Sequence, residues 1–475
     1  MRSEPRVPFF AWWWVLLVLA GCQESATTSD ATTISSLTFA AVPGDDAPEL
    51  AHPGPYRVGV RTYEFAYPQA PDVSVASVLG ADFPRWTRQL SVDVLYPAQV
   101  PDQVASDVVY QGQYHTGLTD IQGLPDTFQI QGLAVRDAPV VENQQFPLVI
   151  VSHGLLNSPG VLSGITENLA SKGYVVAVID HRDAQDEPAT PVHLFARVLL
   201  NRVLDQQRIL QEMRVIAGQT ESGGQAPPDS DDLGHIINLD AIGLMGFSMG
   251  GYGVLGHAGA GFDPEGGAFD IVPSAAMAAQ LESAVEFREQ DRSHIDAVIA
   301  FAPWGGKPDD VWSDTALANV RAPLLVFAGD QDDVSDYELG IRRIFKSATG
   351  ADRYLLVYQN AQHNLVQVPA PPSAHLDVRS WMTFEDPTWR RERLLSVGAH
   401  FVAAFLDWHL KGIAERSSYF DVPSVLSNNA EWPQSFGADF SDQYADGTGD
   451  SEQYWKGFKR RQAIGLELHH LPSGS

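Results

Sequence analysis

Apolar and polar positions along this chain follow two different periods. At 90–96 (LSVDVLY) apolar residues recur at every second position, as in an early antiparallel strand with one buried face. Residues 147–152 (PLVIVS) are apolar almost without a break, as expected of a central parallel strand covered on both sides. A helical period then spans 160–172 and stops at Gly173. A strand follows at 174–179 (YVVAVI), then a long helical stretch at 193–217 and a Gly, Pro and Asp rich loop at 223–234. Residues 241–247 form the next strand, and a helix opens at Met249. Further strands are predicted at 297–302 and 323–328, a helix at 335–346, a last core strand at 354–358, and a closing helix with an apolar face at 390–411. Such alternation predicts an α/β fold with a mostly parallel central sheet and helices on both faces. Ligands of these sheets bind at the carboxyl ends of the strands, so chemistry is sought there.

Composition narrows the classes. The chain has 475 residues, 44% hydrophobic and 10% aromatic, which supports a sizeable core. Its net charge of -28, from 59 acidic and 31 basic residues, repels nucleic acid and anionic headgroups. The one cysteine, Cys22, excludes an intramolecular disulfide and a cysteine nucleophile or Cys-based metal site in the folded part.

The first residues read as an address. Arg2 and Arg6 precede an apolar run at 7–20 that is short for a membrane span and is flanked like a signal peptide. It ends in Leu19-Ala20-Gly21-Cys22, which resembles the lipobox of bacterial lipoproteins, where the cysteine becomes the lipid-bearing N-terminus. Gln23, rather than Asp, after it resembles the pattern of delivery to the outer membrane. The expected organisation is a signal peptide at 1–21, a flexible tether at 22–50 with a reach of roughly 30 Å, a folded domain at 51–415, and an extension at 416–475 packed on it through Tyr454, Trp455 and Phe458.

Three strand ends carry chemistry. Gly246-Phe247-Ser248-Met249-Gly250 matches G-x-S-x-G between an apolar strand and a small-residue helix, the context of a nucleophile elbow. The serine sits on a tight strained turn, and Gly246 and Gly250 leave room for it. His153-Gly154-Leu155 follows 147–152, in the loop that supplies one oxyanion amide, so the Leu155 and Met249 N–H groups form the expected oxyanion hole. His153 itself is read as shaping the turn. After 323–328 comes Gly329-Asp330-Gln331-Asp332-Asp333, where Asp332 is the preferred acid and Asp330 and Asp333 are alternatives. His363, after 354–358, is the expected base, with His375 the runner-up in a Pro-rich loop. No metal or organic cofactor is expected.

The segments SHGLLNSPG, GYVVAVIDHRD and GFSMGG together resemble bacterial dienelactone-hydrolase-like and platelet-activating-factor-acetylhydrolase-like esterases of the α/β-hydrolase superfamily. That resemblance implies an α/β-hydrolase fold and the same oxyanion pair, Leu155 and Met249. Two departures stand out. Dienelactone hydrolases proper use a cysteine nucleophile. The animal acetylhydrolases carry their acid after the strand following the nucleophile, where this chain has Phe301-Ala302-Pro303-Trp304. The Pro-Trp turn and the elbow are similar to those of bacterial cutinases and polyester hydrolases, which implies a substrate-contacting role for Trp304; plain core packing is the alternative. The segment 259–293 is a candidate partial lid. The expectation is a serine carboxylic ester hydrolase acting on a small-molecule, lipid or polyester ester, exported and held at the outer membrane by its N-terminal lipid alone. The alternatives are an amidase or peptidase with the same three residues and a non-catalytic scaffold of the same fold.

Overall fold

A computed structural model describes residues 37–39, 43–72, 84–114, 118–183, 191–219, 232–270, 284, 292, 294–306, 310–431 and 454–475. The signal peptide, Cys22 and most of the candidate lid lie outside the described residues. The strands are β1 (Leu37–Phe39), β2 (Arg57–Pro71), β3 (Arg85–Ala98), β4 (Val109–Gln113), β5 (Thr127–Gln131), β6 (Val135–Arg136), β7 (Phe146–Ser152), β8 (Val175–Asp180), β9 (Ile237–Phe247), β10 (Ala297–Phe301), β11 (Leu324–Gly329), β12 (Arg353–Tyr358) and β13 (Leu466–Leu471).

Among the described residues the main sheet runs β13-β12-β11-β10-β9-β7-β8-β3-β2-β6. The six strands from β12 to β8 are mutually parallel, and β13 and the β2–β3 hairpin flank them antiparallel. A small separate sheet joins β1, β5 and β4. β7, β10, β11 and β12 are buried at every position. That is what an unbroken apolar run achieves when both sheet faces are covered.

The cover comes from α1 (Ser163–Ser171) and the long terminal helix on one face, and from α2 (Pro191–Ile216) and α3 (Met249–Ala258) on the other. The remaining helices named here are α4 (Arg342–Ser347) and α5 (Arg391–His409), α5 being the terminal helix. This is the α/β-hydrolase arrangement, with β3 as the expected early antiparallel strand.

Three differences from the sequence reading have physical causes. First, Tyr354–Tyr358 is not the last strand of the sheet, because β13 follows in the chain and pairs alongside it. The alternation in β13 (LELHHL) is short and histidine-rich, a weak strand signal. Second, the helix expected from 335 starts at Arg342, after a wide turn at Tyr337–Ile341. The Asp332 carboxylate takes the amides of Val334 and Ser335, and Asp336 sits at φ 55, so the chain cannot begin a regular helix earlier. Third, the inner part of the expected tether is packed. Ala47 and Ala51 are buried, and the Leu50 amide donates to Nδ1 of the buried His400 on α5 at 3.1 Å.

The aromatic residues near the C-terminus are buried as well. Trp455 and Phe458 lie edge-on and tilted against Phe401 of α5, and the Trp455 indole donates to the Ser424 carbonyl at 3.0 Å. Burial of one such ring contributes about 2–3 kcal/mol. Among the described residues no helix is long and apolar enough to cross a membrane.

Candidate active site

Four parallel strands end on the same side of the sheet, and each delivers one part of the site. β9 ends at Phe247, and the chain turns at Ser248 with φ 53 and ψ -114 before α3 begins. No L-residue adopts that backbone without strain, and its surroundings must hold it. The Ser248 amide donates to the Phe301 carbonyl at 2.9 Å, and the Ser248 carbonyl accepts from the amides of Tyr252 and Trp304. The turn also requires two glycines. A Cβ on Gly250 would lie 2.0 Å from the Ser152 carbonyl oxygen, and one on Gly246 would lie 2.2 Å from the Gly250 oxygen.

His363 follows β12 and Asp332 follows β11. His363 Nε2 is 3.0 Å from Ser248 Oγ, and its Nδ1 is 2.8 Å from Asp332 Oδ2. The three residues selected from the sequence therefore meet in one hydrogen-bonded chain. The runners-up do not join it. Asp330 accepts from the Asn360 amide at 2.6 Å, a contact that ties the acid turn to the turn before His363. His375 lies in a short 3-10 helix at Pro372–Leu376.

Asp332 is buried. Burial pushes its carboxyl up, but the His363 partner and the amides of Ser335 and Val334 outweigh this and hold it below the usual carboxylate range. It is thus an anion fixed by two amides through Oδ1, leaving Oδ2 for the imidazole.

The loop after β7 lies against the nucleophile. A Cβ on Gly154 would be 3.5 Å from the Ser248 Cβ. Among the described residues neither the Leu155 nor the Met249 amide has a hydrogen-bond partner, and the Met249 amide opens α3, where free N–H groups collect. Trp304 is half-buried, with its ring edge-on to Phe195 at 5.1 Å and to Tyr252 at 6.0 Å between centroids. His153 is buried and shapes the turn. Its Nδ1–H donates to the Gly154 carbonyl at 2.7 Å, and its Nε2 accepts from the His181 amide at 3.1 Å.

One feature of the site was missed from the sequence. Beneath the loop lies a buried polar cluster of Arg88, Ser152, His181, Asp183, Arg202 and Asp205. Asp183 pairs with Arg202 at 2.5 Å and Asp205 with Arg88 at 2.6 Å. Its signal was present: Arg202, Asp205 and Gln206 occupy the core-facing stripe of α2 among Val198, Leu199, Val203 and Ile209, where ionisable residues are rare unless paired.

The mostly parallel strand order defines an α/β-hydrolase fold, with Ser248 at the carboxyl end of β9. Residues 54–210 match the family model described as platelet-activating factor acetylhydrolase, isoform II. That stretch contains the loop after β7 and the Arg202–Asp183 pair but not Ser248, Asp332 or His363. The chain is similar to platelet-activating factor acetylhydrolase of Cavia porcellus, 30% identical over 122 residues, covering 22% of this chain and 28% of that protein. It is also similar to the enzyme of the same name from Canis lupus familiaris, 30% identical over 97 residues, covering 18% and 22%. The chain thus matches about a quarter of the length of these relatives. A solved structure of a ferulic acid esterase from Streptomyces cinnamoneus superposes with TM-score 0.48 at 19% identity, covering 79% of this chain and 93% of that one.

Proposed function

We propose that this protein is a carboxylic ester hydrolase that works through an acyl-enzyme on Ser248. The observation that carries the reading is the continuous chain from Ser248 Oγ through His363 to Asp332, on a serine held at positive φ. His363 Nε2 takes the Ser248 proton as Oγ attacks the ester carbonyl carbon. The amides of Leu155 and Met249 receive the oxyanion. His363 then returns the proton to the leaving alcohol, and the same steps with water release the acid. Asp332 holds Nδ1–H and stabilises the imidazolium that forms between the two transfers.

The partial match to acetylhydrolases favours small acyl groups, and Trp304 beside Ser248 is the proposed wall against which the acyl group rests, as in the cutinases it resembles. Purified protein should hydrolyse p-nitrophenyl esters, show a preference for short chains, and take up a fluorophosphonate on Ser248. Turnover of matching anilides at comparable kcat/KM would instead make it an amidase, and no adduct at Ser248 would leave only a scaffold. Export and anchoring by a lipid on Cys22 are proposed from the N-terminal pattern alone. Cys22→Ser should move the protein from the membrane fraction to the soluble fraction, and retention would refute the anchor.

A further inference from the structure

We propose that Arg202 and Asp183 form a positioning pair that aims the Leu155 amide at the reacting carbonyl oxygen; this rests on the ester-hydrolase reading above.

The Gly154–Leu155 peptide is flat, so its carbonyl and its N–H point in opposite directions. The Gly154 carbonyl accepts from three groups, Arg202 Nη2 at 3.1 Å, His153 Nδ1 at 2.7 Å and the Asn157 amide at 3.3 Å. Arg202 Nη1 also holds the preceding carbonyl, that of His153, at 3.0 Å. With two successive carbonyls turned toward α2, the Leu155 N–H faces the other way.

The next peptide is fixed with the opposite polarity. The Leu156 amide donates to Asp183 Oδ2 at 2.8 Å, and the same oxygen is 2.5 Å from Arg202 Nη2. Leu156 sits at φ 55, a conformation a leucine keeps only when its surroundings over-determine it. The pair thus grips both sides of the Leu155 amide and leaves that amide itself unbonded. A rigid fork with two parallel donors is needed to take both carbonyls, which a lysine cannot reproduce. Both partners are almost completely buried, so they touch no substrate and act only through the loop.

The test uses the full-length protein with three variants: Arg202→Lys, Asp183→Asn, and the double variant Arg202→Gln with Asp183→Asn. The double variant removes both charges together, so that no unpaired ion is left buried. Competent sites are counted by fluorophosphonate titration, and thermal midpoints are recorded. Each protein is then assayed on a p-nitrophenyl ester and on the matching thionoester, whose sulfur is a poor acceptor for oxyanion donors.

Per titrated site, kcat on the ester should fall roughly 10- to 100-fold in the double variant, below the loss expected for deleting an oxyanion donor outright, with KM little changed. Arg202→Lys should retain part of the activity. The preference for ester over thionoester should narrow several-fold, because only the oxygen substrate uses the aimed amide. Damage to folding alone scales both substrates equally. Equal losses on both, or wild-type kcat per site in the double variant, overturn the proposal. If the wild-type protein takes up no fluorophosphonate, the ester-hydrolase reading fails first and the positioning role falls with it.

Discussion

Among the described residues two serine–histidine–aspartate chains lie in this domain, and only the first has the surroundings that the proposed catalysis needs. In the first, Ser248 Oγ, His363 and Asp332 are joined at 3.0 and 2.8 Å. In the second, Ser152 Oγ is 2.6 Å from His181 Nε2, and His181 Nδ1 is 3.0 Å from Asp205. Distances alone do not separate them. Access does: Ser248 is 7% exposed, whereas Ser152 is 0% exposed inside strand β7. The backbone differs as well, since Ser248 stands on a strained turn beside two unbonded amides and Ser152 is in a regular strand. The second imidazole is also a poor base. Burial, reinforced by the nearby Arg202 charge, lowers the His181 pKa to about 3, and Asp205 is already engaged by Arg88. A reactive serine therefore requires exposure, a strained turn and oxyanion donors in addition to the three side chains.

The sharpest way to break this contrast is at the two serines. Ser248→Ala should lower ester turnover by roughly 10⁶-fold and abolish fluorophosphonate uptake. Ser152→Ala should keep the adduct at Ser248 and lose only stability, about 1–3 kcal/mol from leaving His181 Nε2 without a donor. Mass spectrometry of the labelled peptide decides between them. An adduct on Ser152, or lost labelling in Ser152→Ala, would mean that the two chains have been assigned the wrong way round.

The two aspartates should separate along the same line with a smaller effect. Asp332→Asn should cut kcat by about 10⁴-fold through the wrong imidazole tautomer. Asp330→Asn and Asp333→Asn should stay near the wild type. Asp205→Asn should instead lower stability, by about 3–5 kcal/mol in urea unfolding, because it leaves Arg88 short of its buried partner. Full activity in Asp332→Asn would remove it from the relay.

The relay was legible because each member directly follows an apolar strand and arrives in a fixed order along the chain. The turn chemistry around Ser248 was legible from Gly246 and Gly250, since nothing larger than hydrogen fits there. The second chain was hidden for the opposite reason. Ser152 reads as the last residue of a strand, and although Arg202 and Asp205 fall on the apolar stripe of α2, the stripe does not say which residues they pair with. Pairing between β3, the end of β8 and the middle of α2 is a tertiary fact with no local period. β13 was missed in the same way, since its place beside β12 depends on a long return of the chain.

The gentlest test of the contrast uses acid. His181, His257 and His400 are all buried, and burial is the first cause that lowers each pKa to about 3. In the unfolded chain the same imidazoles titrate near 6.5. Between those two values the unfolded state binds more protons than the native one at these sites, so the stability they contribute is fully present above about pH 6.5 and is lost progressively as the pH falls toward 3. Asp332, with its carboxyl held below the usual value, adds to the loss in the same direction but only at the acid end of that window. Urea midpoints should therefore fall steadily from pH 6.5 to 4. His400, on α5 and bonded to the Leu50 amide, gives the control. His400→Gln should reduce the acid slope while ester turnover at pH 8 is unchanged. An unaltered slope in that variant would show that the buried imidazoles are not what makes the fold acid-sensitive.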